Sequence, residues 1–248
     1  MNFSRDFDTI TLDQIEEVNL MNRVDLKYYF HLENFQTILR KLNNHYFILT
    51  IDKRKVFDYK TLYFDTPAKD FYLAHHNNKL TRLKIRKRTY VNTNTSFSEI
   101  KFKTNKGRTI KKRIESDDRK YLSNVDKEFI NQNTLWNSDD LTPSLLNEFN
   151  RITLVNKNFK ERCTIDLNIC FRANNKTFSL DNIVVLEIKI DGRNTLNTPL
   201  IKILKLASIK QASFSKYCIG MCITNTNLKY NRFKHQLKTL NKINTYEH

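Results

Sequence analysis

Apolar and polar side chains alternate along several stretches of this chain, which is typical of β-strands. In TRLKIRKRTY, residues 81–90, cations occupy every second position from Arg82 to Arg88, and Leu83 and Ile85 lie between them. Successive side chains of a strand point to opposite faces, so the four cations share one face and the apolar pair shares the other. Similar alternation predicts further strands over 22–30, 59–66, 96–104, 108–115, 159–171 and 183–191.

Apolar residues at helical spacing separate these strands. Within 31–46 they form one stripe that ends at Asn43, and Pro67 suits the first turn of another helix because its missing N–H would have no partner there. Consecutive strands joined by short turns pair antiparallel. The chain is therefore predicted to be an α+β protein with a large antiparallel sheet or barrel and flanking helices. The helices are predicted over 11–21, 31–46, 67–78, 116–131, 197–207, 214–224 and 229–243.

The chain is predicted to form one domain, residues 1–248, with a short N-terminal helix and a basic C-terminal helix. Its 248 residues suffice for a sizeable core, and 40% of them are apolar. Only three glycines and three prolines occur, so no linker rich in these residues divides the chain, and no internal repeat of helical-repeat length is found. A single domain is thus the simpler organisation.

The charge of the chain is strongly positive and implies a polyanionic partner. Lysine and arginine number 43 against 26 acidic residues, a formal net charge of +17. Nucleic acid, an anionic lipid surface and phosphorylated small molecules all fit such a charge. Between Lys79 and Glu115 there are thirteen lysines and arginines but only two acids, so pairing within this stretch cannot neutralise it. An external anion is expected to do so.

Two arrangements explain the cationic faces. A sheet with one solvated face gives the same alternation, but such a face usually mixes in Ser, Thr and Gln, whereas lysine and arginine dominate three successive strands here. In a barrel of about eight strands, the same residues line an interior that can hold a ligand. The pattern alone leaves both arrangements open. The polar faces of the later strands carry Glu99, Lys101, Lys103, Lys111, Arg113, Arg162, Glu187 and Lys189.

The sequence disfavours membrane-spanning and secreted classes of protein. No apolar run approaches the roughly 18 residues that a bilayer span requires. The first ten residues carry acids and lack an apolar segment, unlike a secretory signal. The four cysteines are sparse and form no CxxC pair, so reduced thiols are expected and a zinc site is disfavoured. These features predict a cytoplasmic protein.

Eight motifs follow one another along the chain: NRVDLKYYF, LYFDT, LKIRKRTY, SEIKFKT, KKRIE, ERCTIDLN, VVLEIKIDG and SFSKYCIG. From about Asn22 to Ile223 their order and spacing resemble the VTC domain, the polyphosphate polymerase module of the triphosphate tunnel metalloenzyme, or CYTH-like, superfamily. The resemblance implies a closed tunnel of antiparallel strands whose basic lumen binds nucleoside triphosphate and polyphosphate. It also implies a divalent cation, Mn²⁺ or Mg²⁺, held by a glutamate of the lumen.

The resemblance also implies roles for individual residues, matched motif by motif. The triphosphate clamp is expected to consist of Lys84, Arg86, Lys101 and Arg162. The metal ligand is expected to be Glu187. The residues expected to bind and guide the acceptor or product chain are Lys27, Lys111, Arg113, Ser215 and Lys216. Further phosphate-binding candidates on the same polar faces are Arg82, Lys103 and Lys189.

Two departures from the family pattern affect this expectation. Some members carry a lysine where this chain has Ser213, so a weaker phosphate contact is expected at that end. Hydrolytic relatives begin with Glu-x-Glu-x-Lys, whereas Arg23 here takes the place of the first glutamate, in RVDLK. Extra carboxylates help a hydrolase to bind a second metal and to activate water. The arginine therefore favours phosphoryl transfer over hydrolysis.

The predicted function is that of a metal-dependent polyphosphate polymerase, which transfers the γ-phosphoryl group of ATP to a phosphate or polyphosphate end and releases ADP. The expected ligands are ATP or another nucleoside triphosphate, polyphosphate, and pyrophosphate or orthophosphate. A tunnel triphosphatase and a non-catalytic module that binds polyphosphate or inositol phosphates are the alternatives. Specific nucleic-acid binding is disfavoured because the cationic strands lack exposed aromatic pairs that stack bases. A membrane-bound partner is left open.

Overall fold

The structure, a computed structural model, describes residues 7–16, 23–191 and 197–245, and the side chains of Glu16, Arg23 and Asp191 lie outside this description. The strands are β1 (Thr9–Ile10), β2 (Arg23–His31), β3 (Tyr46–Leu49), β4 (Phe57–Asp65), β5 (Arg82–Tyr90), β6 (Thr95–Lys103), β7 (Thr109–Ser116), β8 (Thr142–Asn156), β9 (Glu161–Ala173), β10 (Lys176–Leu180) and β11 (Ile183–Asp191). The helices are α1 (Leu12–Glu16), α2 (Glu33–Leu42), α3 (Asp70–His76), α4 (Asn124–Asn133), α5 (Pro199–Leu206), α6 (Lys216–Thr224) and α7 (Lys234–Asn244).

All eleven strands belong to one sheet, which confirms the predicted α+β fold. Its main path runs β2-β11-β9-β8-β4-β5-β6-β7 and is antiparallel throughout, whereas the short β1 pairs parallel with β3. The prediction of a closed barrel is wrong in one respect. Within the described residues, the end strands β2 and β7 do not pair with each other, so hydrogen bonds between strands do not complete the ring. No helix in the described part of the chain is both long and apolar enough to cross a bilayer.

The segment between α5 and α6 covers the free edge of β2, and this explains why that edge needs no strand partner. The Ala212 backbone N–H donates to the Lys27 carbonyl oxygen at 2.8 Å. The Lys27 ammonium in turn donates to the Phe214 carbonyl oxygen at 3.0 Å. A segment that lies along an edge strand and satisfies one of its backbone carbonyls obstructs the pairing of another strand at that point.

Helices pack on both faces of the sheet and produce separate cores. On one face, called the outer face, α2 and α5 bury Phe35 and Leu200 against Ile165 and Leu186. Farther along the same face, α3 and α4 cover Leu83, Ile85 and Ile100, so the apolar side of the basic strand is core as predicted. The opposite face, called the inner face, carries the cationic side chains of β5 and packs against α6.

An irregularity in β8 and β9 lets α6 approach the inner face closely. The pairing register shifts between Glu148 and Asn150, and Asn168 in the facing strand has a positive φ of 50°. The shift moves Phe171 into the core under α6 instead of the core under α2 and α5. A Cβ on Gly220 of α6 would lie only 2.6 Å from the Phe171 ring, so glycine permits this depth of packing.

Local chemistry accounts for two differences between predicted and observed elements. The helix predicted over 116–131 begins instead at Asn124, because Ser123 and Asp126 form a reciprocal capping box there. The helix predicted over 67–78 begins at Asp70, because the preceding Lys69 has a left-handed backbone conformation with a φ of 63° that a helix cannot contain. The predicted N-terminal helix is observed as Leu12–Glu16, and residues 17–21 lie outside the described residues.

A buried ion pair on the outer face attaches α4 to the sheet. The ammonium of Lys87, a residue only 2% exposed, lies 2.8 Å from the carboxylate of Asp126, which is fully buried and also accepts from Ser98 and Ser116 at 2.6 Å. Removing one partner of such a pair leaves the other charge buried and unpaired. We therefore expect Lys87→Met to lower the free energy of unfolding by about 3 kcal/mol, measured by urea denaturation.

Lys112→Met is the matched control for this substitution. Lys112 is exposed on β7, and within the described residues it donates only to the Asn133 side chain, at 2.6 Å. Its loss is therefore expected to cost less than about 1 kcal/mol. Equal losses for the two variants would contradict a stabilising role for the Lys87 pair.

Candidate functional site

The inner face of the sheet encloses a cavity of about 240 Å³, called the channel. Side chains from all eight strands of the main path line it, together with the residues that begin α6. At one end it shares Asp25, Lys27, Phe214 and Ser215 with a wider cavity of about 830 Å³, called the mouth. The unclosed sheet therefore still surrounds an interior space on many sides.

The structure brings most of the predicted site residues together. Those that line the channel are Lys27, Lys84, Arg86, Lys101, Lys111, Glu187, Lys189, Ser215 and Lys216. Arg82 lines the mouth instead. The channel lining does not include Lys103, Arg113 or Arg162. Arg113 is exposed, with its guanidinium 4.7 Å from the centre of the Phe97 ring. Ser213 also lines the mouth, and the Arg23 side chain lies outside the described residues.

A buried carboxylate fixes two cations on the β5–β7 side of the channel. Arg86 donates from Nε to Glu99 at 2.7 Å and approaches it through its terminal nitrogen at 2.6 Å, and Lys111 forms an ion pair with the same carboxylate. Burial alone would raise the pKa of Glu99, but the charges of Arg86, Arg88 and Lys111 outweigh it and hold this pKa at about 2. Glu99 thus stays ionised and orients its partners.

A second buried carboxylate, that of Asp166, fixes two further cations on the opposite wall of the channel. Asp166 of β9 receives Arg151 of β8 through two hydrogen bonds, at 2.7 and 2.8 Å, and also pairs with Lys216. Burial would raise the pKa of Asp166, but these two cations hold it well below the ordinary range. The planar guanidinium of Arg151 is thereby fixed at the channel wall, a geometry suited to phosphate oxygens.

Glu187 differs from these two carboxylates because it makes no ion pair within the described part of the chain. It is half-buried on β11, and burial would raise its pKa. The surrounding charges of Lys27, Lys189, Arg151 and Lys216 instead lower it to about 2. Glu187 is therefore an ionised carboxylate whose oxygens remain available inside a cationic channel.

A divalent cation fits Glu187 only as part of a complex with phosphate. The described residues contain no cluster of three or more His, Cys, Asp or Glu side chains that could hold a metal. Mg²⁺ and similar hard cations are commonly bound by one or two carboxylates, with substrate phosphates and water completing the shell. One free carboxylate beside a triphosphate site agrees with that mode and disagrees with a metal cage built by the protein alone.

Two lysines of the channel are crowded enough to lose part of their charge. Burial is the main cause that lowers the pKa of Lys84 to about 8, and the positive charges of Lys27 and Arg86 lower it further. Burial is also the main cause that lowers the pKa of Lys101 to about 8, and the positive charges of Lys84 and Lys27 contribute. The Lys101 side chain nevertheless keeps contact with solvent. A bound polyanion would reverse this crowding and favour the protonated amines.

Tripolyphosphate binding is consequently expected to take up protons at pH 8, and its affinity should fall as the pH rises above 8. The reason is that Lys84 and Lys101 are partly deprotonated in the free protein at this pH and become charged in the complex. Calorimetric titrations in two buffers of different ionisation enthalpy measure the uptake. The Lys101→Met variant should take up fewer protons than the wild type when it binds tripolyphosphate. Equal uptake by the two proteins would show that Lys101 does not gain a proton on binding.

The N-terminus of α6 contributes directly to the channel. Ser215 caps the helix by accepting from the Cys218 backbone N–H at 3.3 Å, and its hydroxyl oxygen also accepts from the Lys84 ammonium at 3.1 Å. The fully buried Asp65 accepts from the Tyr72 backbone N–H at 3.0 Å and from the Tyr217 hydroxyl. Asp65 therefore joins α3 to α6 and holds the residues beside Tyr217 in place.

Sequence reasoning assigned no role to Arg88, Arg151 or Asp166, which all line the channel. Arg151 was missed because β8 itself was not predicted. The register shift near Glu148 interrupts the alternation of this strand. The run FNRITLV nevertheless alternates, with Ile152 and Leu154 on the apolar side, and would have placed Arg151 on a polar face.

Comparisons with known proteins identify the family. The sequence matches the VTC domain over residues 22–225. No curated protein sequence matches the chain significantly. Among solved structures, it is similar to HpAC1 from Hippeastrum, described as an adenylyl cyclase candidate with a dominant triphosphatase activity (13% identity, TM-score 0.49, 81% of this chain and 97% of that chain).

Two further solved structures are similar at low identity. One is an adenylate cyclase candidate from Vibrio parahaemolyticus (11% identity, TM-score 0.48, 79% of this chain and 96% of that chain). The other is the PH1819 protein from Pyrococcus horikoshii OT3 (16% identity, TM-score 0.45, 83% of this chain and 99% of that chain). The match to the VTC domain covers most of the sequence, and the residues that line the cationic channel all lie within the matched range. This chain therefore belongs to the VTC domain family.

Proposed function

We propose that this protein is a metal-dependent polyphosphate polymerase that transfers the γ-phosphoryl group of ATP to a phosphate or polyphosphate end. The observation that carries the proposal is the length of the cation row on β5. Arg82 lines the mouth and Arg88 lines the channel, so the row extends over about 20 Å of strand. Three phosphoryl groups are too short to contact both ends of such a row, whereas a polyphosphate chain contacts all of it.

The channel supplies what phosphoryl transfer requires of a protein, namely position and positive charge. Lys84, Arg86 and Lys101 bind the triphosphate from one wall, and Arg151 approaches from the other. A divalent cation at Glu187 would neutralise charge on the phosphates when bound. A terminal phosphate oxygen is already a nucleophile, so the acceptor needs no general base.

The pairing of the channel carboxylates supports transfer over hydrolysis. A hydrolase needs a carboxylate that orients or deprotonates water. Glu99, beside the channel, and Asp166, in its lining, each contact two cations and so are not available for that task. The carboxylate of Glu187, which makes no ion pair within the described residues, is assigned to the metal instead. A cation-rich channel favours the binding of two polyanions side by side, which is the arrangement that phosphoryl transfer between them requires.

Incubation of the purified protein with ATP and Mn²⁺, followed by gel electrophoresis with staining for polyanions, tests the proposal. Long anionic chains should accumulate together with ADP, and a chelator of divalent cations should stop both. Release of orthophosphate without polymer would replace the proposal with a triphosphatase. Tight binding of polyphosphate without any turnover would replace it with a binding module.

A further inference from the structure

Three cations surround the mouth where the channel opens. Lys27 and Arg82 come from the sheet, and Arg232 comes from the turn that precedes α7. Among the described residues, Asp25 is the only acidic one that lines this cavity. The positive character of the channel therefore continues outward through the mouth.

Arg232 is held at the mouth by its neighbours. Its backbone N–H donates to His76 Nε2 at 3.3 Å, and the adjacent Phe233 ring meets the His76 ring edge to face at 5.8 Å. The Tyr72 hydroxyl donates to the Lys229 carbonyl oxygen at 2.7 Å and fixes the start of the same turn. The guanidinium of Arg232 is exposed and has no ion pair or hydrogen bond to any described residue. A rigid backbone thus presents an unpaired cation.

The described C-terminal residues, 197–245, contain no aspartate or glutamate that could neutralise Arg232. Residues 192–246 contain ten lysines and arginines and no aspartate or glutamate. A groove of about 670 Å³ shares Gln211, Ala212, Ser213 and Gln236 with the mouth and is also lined by Lys210. The groove thus adjoins the mouth and adds one further cation, Lys210.

We propose that the mouth binds the phosphate chain that extends beyond the channel, in the form of linear inorganic polyphosphate, with Arg232 as its first contact outside the sheet. This inference rests on the proposed function, because it assigns the polymer to one end of the channel. A chain that leaves between Lys27 and Arg82 reaches Arg232 and then the groove beside Lys210. Affinity should therefore increase with chain length beyond the triphosphate.

The aromatic rings at the mouth argue against a nucleoside as its occupant. A base needs a free ring face on which to stack. Phe214 is only 4% exposed, and its ring packs 6.1 Å from that of Tyr29. Phe233 packs against Tyr72 at 6.4 Å as well as against His76. Protein rings therefore already occupy the surroundings of both aromatic side chains, whereas the cations remain available.

Binding of three ligands to the Arg232→Gln variant tests the inference. The ligands are tripolyphosphate, ATP and an inorganic polyphosphate of many tens of phosphates, titrated without metal so that no turnover occurs. Lys238→Gln is the matched control, since it removes the same charge from α7, and this exposed residue lines neither cavity. Arg232→Gln should weaken long-chain binding about fivefold, the equivalent of one charged contact, and change tripolyphosphate and ATP binding less than about twofold.

Two outcomes would overturn the inference. Equal weakening by Arg232→Gln and Lys238→Gln would mean that long chains sense only the overall charge. Weakened ATP binding with unchanged long-chain binding would assign the mouth to the nucleoside. Because these titrations involve no catalysis, a protein that makes no polymer can still show the Arg232 effect, and then only the polymerase proposal fails.

Discussion

Replacement of Glu187 by glutamine should abolish polymer synthesis while leaving triphosphate binding intact. We expect the rate of ADP release with Mn²⁺ to fall at least about 100-fold, which is more than the loss caused by residues that merely orient a metal ligand. Glu187 is the channel carboxylate that lacks an ion-pair partner within the described residues, so it is the group best able to hold a divalent cation. The amide keeps the shape of the side chain but binds hard cations poorly.

Metal-free binding separates this role from a structural one. The carboxylate lies among Lys27, Lys189, Arg151 and Lys216, which lower its pKa to about 2. Removing its negative charge should therefore leave the affinity for tripolyphosphate unchanged or increase it. Glu128→Gln, an exposed position on α4, removes one negative charge far from the channel and should alter neither property. Full activity of Glu187→Gln would remove this residue from the metal site.

Replacement of Arg86 by methionine should cause the largest loss of affinity among single substitutions in the channel. We expect tripolyphosphate binding to weaken about 100-fold, because a guanidinium that donates several charge-assisted hydrogen bonds disappears. The ion-pair partner of Arg86, Glu99, increases the expected loss of affinity. Glu99 would lose its ion pair with Arg86 and keep that with Lys111, and its less fully compensated negative charge would oppose the binding of phosphates.

Isothermal titration at two salt concentrations measures this loss, and Arg119→Met provides the comparison. Arg119 is an exposed arginine paired with Asp117 outside the channel, at 2.6 Å. Both variants lower the net charge by one, so only a specific contact distinguishes them. Similar modest losses in both would indicate diffuse attraction of the ligand to a basic protein.

Alternation along single strands was sufficient to predict the cationic face of the sheet. The pattern of 81–90 placed Lys84 and Arg86 on one side and Leu83 and Ile85 on the other, and the structure places them respectively in the channel and in the core. This inference succeeds because the direction of a side chain in a strand depends only on its position in sequence. The strands β2, β9 and β11 were predicted in the same way, whereas β8, which carries Arg151, was not.

The missing parts of the prediction depend on contacts between distant segments. Arg151 lies on a strand whose alternation is broken by a register shift, and Arg162 does not line the channel although it lies on a polar face of β9. Closure of the sheet was predicted, whereas Ala212 instead covers the edge of β2. The pairing of Glu99 with Arg86 and Lys111 required three strands in a definite register. Patterns within one strand contain none of this information.

The decisive measurement is a crystal structure of the protein with tripolyphosphate and Mn²⁺, which locates both ligands. We expect phosphates between Lys84, Arg86 and Lys101 and an anomalous manganese signal beside Glu187. Phosphates bound only on the basic exterior around α7, with none in the channel, would contradict this expectation.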